Sequence, residues 1–186
     1  MIYMFLAPGF EEVEALAPLD LLRRAGLTVT TVAITPDETE TAVTGSHHIT
    51  VLADMSAAEF RRGLEAASIE AVILPGGMPG TTHLDASPLV ESALALAHGQ
   101  DAYLCAICAA PLVLGKRGYL AGKAATCFPG FEAYLEGATV GGKVIRDGKI
   151  ITAAGMGVAQ AFGLELIAAL VSPEKAGEIH SAIQAL

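Results

Sequence analysis

Positive charge is scarce in this chain of 186 residues, where 11 Lys and Arg stand against 20 Asp and Glu for a formal net charge of −9. Neutralising phosphates takes clustered Lys and Arg. The only adjacent basic pairs are Arg23-Arg24, Arg61-Arg62 and Lys116-Arg117, each read as a solvated helix face or end, so nucleic acid is excluded as a partner. Long apolar runs are missing too. The longest uncharged stretches, Ala102 to Gly115 and Ile150 to Leu164, are broken by Pro111 and several Gly. They fall short of the ~18 apolar residues that span a bilayer, which excludes a transmembrane segment. No basic residue precedes the apolar start, so Ile2 to Ala7 reads as a first strand and not as a signal peptide. Cysteine is limited to Cys105, Cys108 and Cys127, an odd number that argues against a disulfide framework and for a reducing cytoplasm. The charged fraction is 17%, with 53% hydrophobic residues, and disorder is excluded. No repeat, low-complexity tract or Pro/Ser-rich linker divides the chain, and residues 1–186 are expected to form one domain.

What is present is an alternation of short β-rich runs with longer amphipathic segments, the pattern of βαβ units around a mainly parallel sheet. Strands are expected near Ile2 to Ala7, Thr28 to Ala33, Ala71 to Leu74, Ala102 to Ala106 and Ile150 to Ala153. Helices are expected near Glu12 to Ala25, Ala57 to Ala66, Pro88 to Ala97, Ala109 to Arg117, Ala159 to Leu170 and Pro173 to Ala185. Gly26 stops the first helix, Ser56 and Glu59 make a capping box for the second, and Ser87-Pro88 starts the third. Antiparallel additions are expected at Val43 to Ile49 and at Val144 to Ile150, the latter turning at Asp147-Gly148.

Ligands of such folds sit outside the carboxyl ends of the strands, which directs attention to the loops after Ala7, Leu74, Ala106 and Ala153. In Leu104-Cys105-Ala106-Ile107-Cys108-Ala109-Ala110-Pro111 a strand ends in a Cys and turns at once into a helix. Cys108 has two readings. At a nucleophile elbow its sulfur faces the N-terminal end of the next helix, where N–H groups and the dipole favour the reactive thiolate; alternatively it is a small buried hydrophobe. Cys105 and Cys108 form a C-x-x-C, but three residues of extended chain hold their Cα atoms roughly 9 to 10 Å apart, beyond the ~7 Å limit of a disulfide. Dithiol exchange and zinc binding are disfavoured, and Cys105 is assigned to the core. Glu11, Glu12 and Glu14 cluster after the first strand. Glu11 and Glu12 read as first-turn carboxylates facing water. Glu14, if turned inward beside a thiolate, has its pKa raised and can donate a hydrogen bond to sulfur. Gly76-Gly77 allows close backbone approach, and the N–H groups of Gly77 and Ala109 are candidate oxyanion donors beside Cys108, a plain tight turn being the alternative. Gly155-Met156-Gly157 is only a partial G-x-G-x-x-G, since Gln160 stands at the third Gly position, and a dinucleotide site is disfavoured.

Taken in order, Pro8-Gly9-Phe10-Glu11-Glu12-Val13-Glu14, Leu74-Pro75-Gly76-Gly77, Ala106-Ile107-Cys108-Ala109-Ala110-Pro111 and Gly155-Met156-Gly157 resemble the ThiJ/PfpI superfamily, in its Parkinson-linked DJ-one branch, from Ile2 to Leu170. The resemblance implies a flavodoxin-like three-layer α/β/α sandwich, a homodimer, an oxidation-sensitive Cys108 at the elbow, a protonated Glu14 facing it, and the N–H groups of Gly77 and Ala109 around the sulfur. Ala109 stands where intracellular proteases of the superfamily carry His, and no His is followed two residues later by Glu as in class I glutamine amidotransferases, so both activities are disfavoured. Phe128 takes the place of a His of human-like members, leaving Cys127, with Gly76, Phe128 and Gly155, as a candidate pocket residue. The Cys–Glu pair and the resemblance together support a glyoxalase III or deglycase acting on methylglyoxal-type aldehydes or their adducts without metal or cofactor. The alternative is a redox sensor or chaperone-like protein in which Cys108 becomes a sulfinate. Thiazole phosphate metabolism is disfavoured for want of a phosphate loop. His47-His48 reads as an exposed hairpin tip or a pocket mouth, and His83 lies near the expected site without an assigned catalytic role.

Overall fold

The computed structural model describes residues 1–184. Apolar runs without alternation suit strands covered on both faces, and the strands form where such runs occur: β1 (Ile2–Leu6), β2 (Val29–Ala33), β6 (Ala71–Leu74), β7 (Tyr103–Ile107) and β11 (Ile150–Ala153). Between them come the short strands β3 (Ala42–Thr44), β4 (Thr50–Leu52), β5 (Met55–Ser56), β8 (Ala124–Ala125), β9 (Thr139–Val140) and β10 (Val144–Asp147). Seven strands make one sheet in the order β10-β11-β7-β6-β1-β2-β5, parallel throughout except for the β10–β11 hairpin.

The helices are α1 (Glu12–Arg24), α2 (Ala57–Gly63), α3 (Gly80–Ala86), α4 (Pro88–Gly99), α5 (Pro111–Gly115), α6 (Ala159–Leu170) and α7 (Pro173–Ala182). Side chains alternate across a strand with period two, so β1 sends Ile2, Met4 and Leu6 into one core and Tyr3 and Phe5 into the other. The first core lies under α1 and α6, with Leu22, Phe162 and Ile167 at its centre. The second lies under α2 and α4, with Phe60, Val90 and Leu94. This is the mainly parallel α/β arrangement that the alternation of elements predicts, in the flavodoxin-like α/β/α sandwich that the family resemblance implies. No helix among the described residues is long and apolar enough to cross a membrane.

Several expected boundaries move. The helix expected over Ala109 to Arg117 is only α5, five residues long: Pro111 supplies its first position, and Gly115 lies against the Tyr134 carbonyl, where a Cβ has no room. Helix α2 ends at Gly63 and continues as a 3-10 turn over Leu64–Ala66. Helix α3 is unforeseen, because Gly80, Thr81 and Thr82 are weak helix formers. Helix α7 ends at Ala182, and the expected extension to Ala185 reaches beyond the described residues. The Val43 to Ile49 addition is instead the β3–β4 hairpin, a separate ribbon whose tip spans 45–49. In the β10–β11 hairpin Asp147 pairs with Ile150, so Gly148 and Lys149 form the turn one residue later than expected, with Gly148 at φ 59.

Candidate active site

Strand order sets the position of the site. From β1 the chain goes to β2 on one side and returns through β6 on the other, so the loops after β1 and β6 part above the carboxyl ends of their strands. Backbone contacts then tie the two loops together: Glu11 N–H donates to the Gly76 carbonyl at 2.9 Å, and Gly76 N–H donates to Glu14 Oε2 at 3.0 Å. Glu11 caps α1 by accepting the Glu14 N–H at 2.7 Å, which fixes the first turn from which Glu14 projects inward.

Cys108 follows β7 directly and has φ 64, a left-handed conformation that costs a non-glycine residue about 1–3 kcal/mol. Both of its backbone groups are bound by neighbouring loops. Its N–H donates to the Ala153 carbonyl and its carbonyl accepts the Phe128 N–H, each at 2.8 Å, so the surrounding structure enforces the turn. Gly76 provides the space beneath it. A Cβ on Gly76 would lie 2.5 Å from Glu14 Oε2 and 2.6 Å from Cys108 Cβ.

Electrostatics link the two side chains. Burial raises the Glu14 carboxyl to about 7; the hydrogen bond with Cys108 works against this, the Glu11 charge adds to it, and the N–H groups of Gly76 and Met156 oppose it. Burial pushes the Cys108 thiol up to about 12, reinforced by the Glu14 charge and hydrogen bond, while the N–H groups of Ala109 and Gly77 pull it down. A thiol lowered by a helix dipole was the expectation, and the direction is the reverse. Helix α5 starts three residues after Cys108 and has little dipole to offer, so burial and the Glu14 charge prevail. Glu14 therefore gains and loses its proton near neutrality while the sulfur remains a thiol. An ionised Glu14 accepts the hydrogen bond of the thiol and holds its proton there, and a protonated Glu14 removes the repulsion and can donate to the sulfur.

The structure therefore brings Cys108, Glu14, Gly76, Gly77 and Ala109 together. A cavity of about 750 Å³ opens alongside, lined by Cys127, Phe128, Lys143, Gly155 and Met156 among others. Cys108 and Glu14 do not line it, since Phe128 is bonded to the Cys108 carbonyl and Gly155 and Met156 lie against Glu14. Cys127 is buried, its thiol raised to about 11 by burial and by the Glu132 charge. Cys105 is enclosed in β7, where burial raises its thiol. His83 lies elsewhere, with Nδ1 2.9 Å from the Pro8 carbonyl.

Glu12 does not face water. Only 3% exposed, it accepts the backbone N–H groups of His47 at 2.8 Å and Ile49 at 3.3 Å and so anchors the hairpin tip to α1. Burial alone raises its pKa, but these bonds, its own N–H and the His47 side chain outweigh burial and hold it at about 2. Its partners on the hairpin lie 34 to 37 positions away, outside the reach of any local pattern. The Met156 N–H toward Glu14 was missed for the same reason.

The model of the DJ-1/PfpI family matches residues 1–169. The chain is 34% identical over 183 residues to protein dj-1beta of Drosophila melanogaster, covering 95% of this chain and 92% of that one. It is 26% identical over 190 residues to a Schizosaccharomyces pombe protein named glutathione-independent glyoxalase DJ-1, covering 98% and 97%. Among solved structures it is similar to oxidized Toxoplasma gondii DJ-1, with TM-score 0.89 and 30% identity over 99% of this chain and 97% of that one. Fold and elbow thus define a flavodoxin-like α/β protein with a cysteine at a strand-to-helix turn. More particularly, the chain belongs to the DJ-1/PfpI family.

Proposed function

We propose that this protein is a cofactor-independent glyoxalase III or deglycase-like enzyme that uses Cys108 on methylglyoxal-type aldehydes or their adducts. The observation that carries the reading is Cys108 at φ 64 facing the buried carboxyl of Glu14, which sits near 7. A glyoxalase-named relative across nearly the whole chain supports it. In this reading the sulfur adds to the aldehyde carbon of methylglyoxal while its proton passes to Glu14. The oxyanion accepts hydrogen bonds from the N–H groups of Gly77 and Ala109 and is protonated to a hemithioacetal. Glu14 then carries the proton of that carbon to the adjacent carbonyl carbon through an enediol, leaving a lactoyl thioester. Water cleaves the thioester to lactate and regenerates the thiol, so one methylglyoxal and one water give one lactic acid. Lactate production by the wild type, lost in Cys108→Ser and reduced at least about a hundredfold in Glu14→Gln, is the expected outcome. Equal rates for the wild type and Cys108→Ser refute it.

A second reading, redox sensing, draws support from the relative whose solved structure is of an oxidized form. Two peroxides oxidise the thiol to sulfinate and leave two waters, with Glu14 donating to a sulfinate oxygen. A two-oxygen mass gain mapped to Cys108, without lactate production, favours this reading; absence of the gain counts against it. Both readings are placed in a homodimer. Val13 on α1 and Ile49 and Leu52 on the hairpin, the last 77% exposed, are the exposed apolar side chains we assign to its interface. Leu52→Glu is expected to shift the mass measured by light scattering from dimer toward monomer, and an unchanged dimer rejects this interface.

A further inference from the structure

Apart from Cys108 and Glu14, one group of ligating side chains among the described residues converges where α1 meets the tip of the β3–β4 hairpin. His47 Nδ1 lies 3.0 Å from Glu12 Oε2 and 4.0 Å from Glu11 Oε1, and a ligand atom from each of the three lies within 4.8 Å of the others. Donors about 2.0–2.1 Å from a tetrahedral zinc sit roughly 3.3 Å apart, so shifts of no more than about 1.5 Å in any one separation bring the two carboxylates and the imidazole to bonding distance.

The carboxylates are also oriented for the task. Glu12 Oε1 is held by the backbone N–H groups of His47 and Ile49, and Glu11 Oε2 by the N–H of Glu14, each leaving the residue's other oxygen turned to the imidazole. Hydrogen bonds to the non-ligating atoms of a ligand are what fixes first ligands around a metal. Gly45 leaves the room this requires, since a Cβ there would overlap the Glu12 carboxylate. Both carboxylates are withdrawn from solvent, with side chains 13% and 4% exposed, yet among the described residues no Lys or Arg lies within 4.0 Å of either. A divalent ion would add a positive charge to two adjacent carboxylates that otherwise meet only N–H groups, the Ser46 hydroxyl and the His47 ring.

We propose that Glu11 Oε1, Glu12 Oε2 and His47 Nδ1 bind one divalent transition-metal ion. One nitrogen and two carboxylate oxygens suit zinc, a borderline cation, and three protein ligands leave the fourth position to water. The site is independent of the chemistry assigned to Cys108, whose thiol is the competing soft ligand.

Calorimetric titration of the full chain with Zn²⁺, paired with Co²⁺ absorption spectroscopy, tests the proposal. The expected result is one Zn²⁺ per chain in the wild type and in Cys108→Ser, with affinity weakened at least about tenfold in His47→Ala and in Glu11→Gln. His48→Ala, at the neighbouring tip position, is expected to bind like the wild type. The Co²⁺ form is expected to show visible bands of a tetrahedral site without near-ultraviolet sulfur-to-metal charge transfer. Zn²⁺ should also raise the melting temperature of the wild type and not that of His47→Ala, each compared with its own apo form. Absence of binding by the wild type, loss of binding in Cys108→Ser, a sulfur charge-transfer band, or equal affinity in His47→Ala each overturns it.

Discussion

Replacing Glu14 by Gln removes a proton that the folded protein holds more tightly than the unfolded chain. The carboxyl moves from an ordinary value of 4.5 to about 7 on folding, chiefly through burial. At about 1.4 kcal/mol for each factor of ten in proton affinity, this amounts to about 3 kcal/mol of pH-dependent stability. Between 4.5 and 7 the native state retains a proton that the unfolded state has released. The contribution is therefore fully present below 4.5 and is lost as the pH rises through about 7, opposite in sign to an ion-paired carboxylate. Glu12, held at about 2, and Cys108, raised to about 12, change protonation outside this window. Gln cannot ionise, so the unfolding free energy of the wild type relative to Glu14→Gln should fall by about 3 kcal/mol between pH 4.5 and pH 8. Urea denaturation of both proteins at the two pH values measures it, and subtraction cancels the titration of all other groups. A difference that stays constant, or that grows with pH, would refute the assignment of a buried, proton-retaining Glu14.

Two further predictions follow from packing. Gly76→Ala drives a methyl group between Glu14 and Cys108, at 2.5 and 2.6 Å, and should cost about 1–3 kcal/mol in urea denaturation. The displaced side chains should also slow iodoacetamide alkylation of Cys108 at least about tenfold; an unchanged rate and midpoint contradict the close approach. Thr152→Val leaves the buried Thr126 N–H without the hydroxyl that now accepts it at 2.9 Å, and should cost about 1–3 kcal/mol by the same assay. A midpoint equal to that of the wild type would mean that this N–H finds another acceptor.

The layers were legible wherever local pattern decides structure. Ile2 to Leu6 and Ala71 to Leu74 are apolar at every position, which leaves strands covered on both faces as the consistent choice. Ser56 with Glu59 marked the start of α2 through a capping box that both side chains complete. Legibility ended where a distant contact decides. Helix α3 forms from weak helix formers, and Glu12 is buried only because a hairpin 35 residues away folds onto it. At the site, the strand-Cys-turn pattern located Cys108. The direction of its titration depends on burial and on a facing carboxylate, which no local window contains.

The sheet has unequal edges, and this limits how the protein can assemble. β5 is two residues long, too short to template another strand, and β10 carries Arg146, paired with Glu165, and Asp147, whose carboxylate accepts the Ala124 N–H. Short or charged edges of this kind resist strand addition. Open-ended β-polymerisation is thereby disfavoured, whereas the proposed two-fold contact through Val13, Ile49 and Leu52 would close on itself.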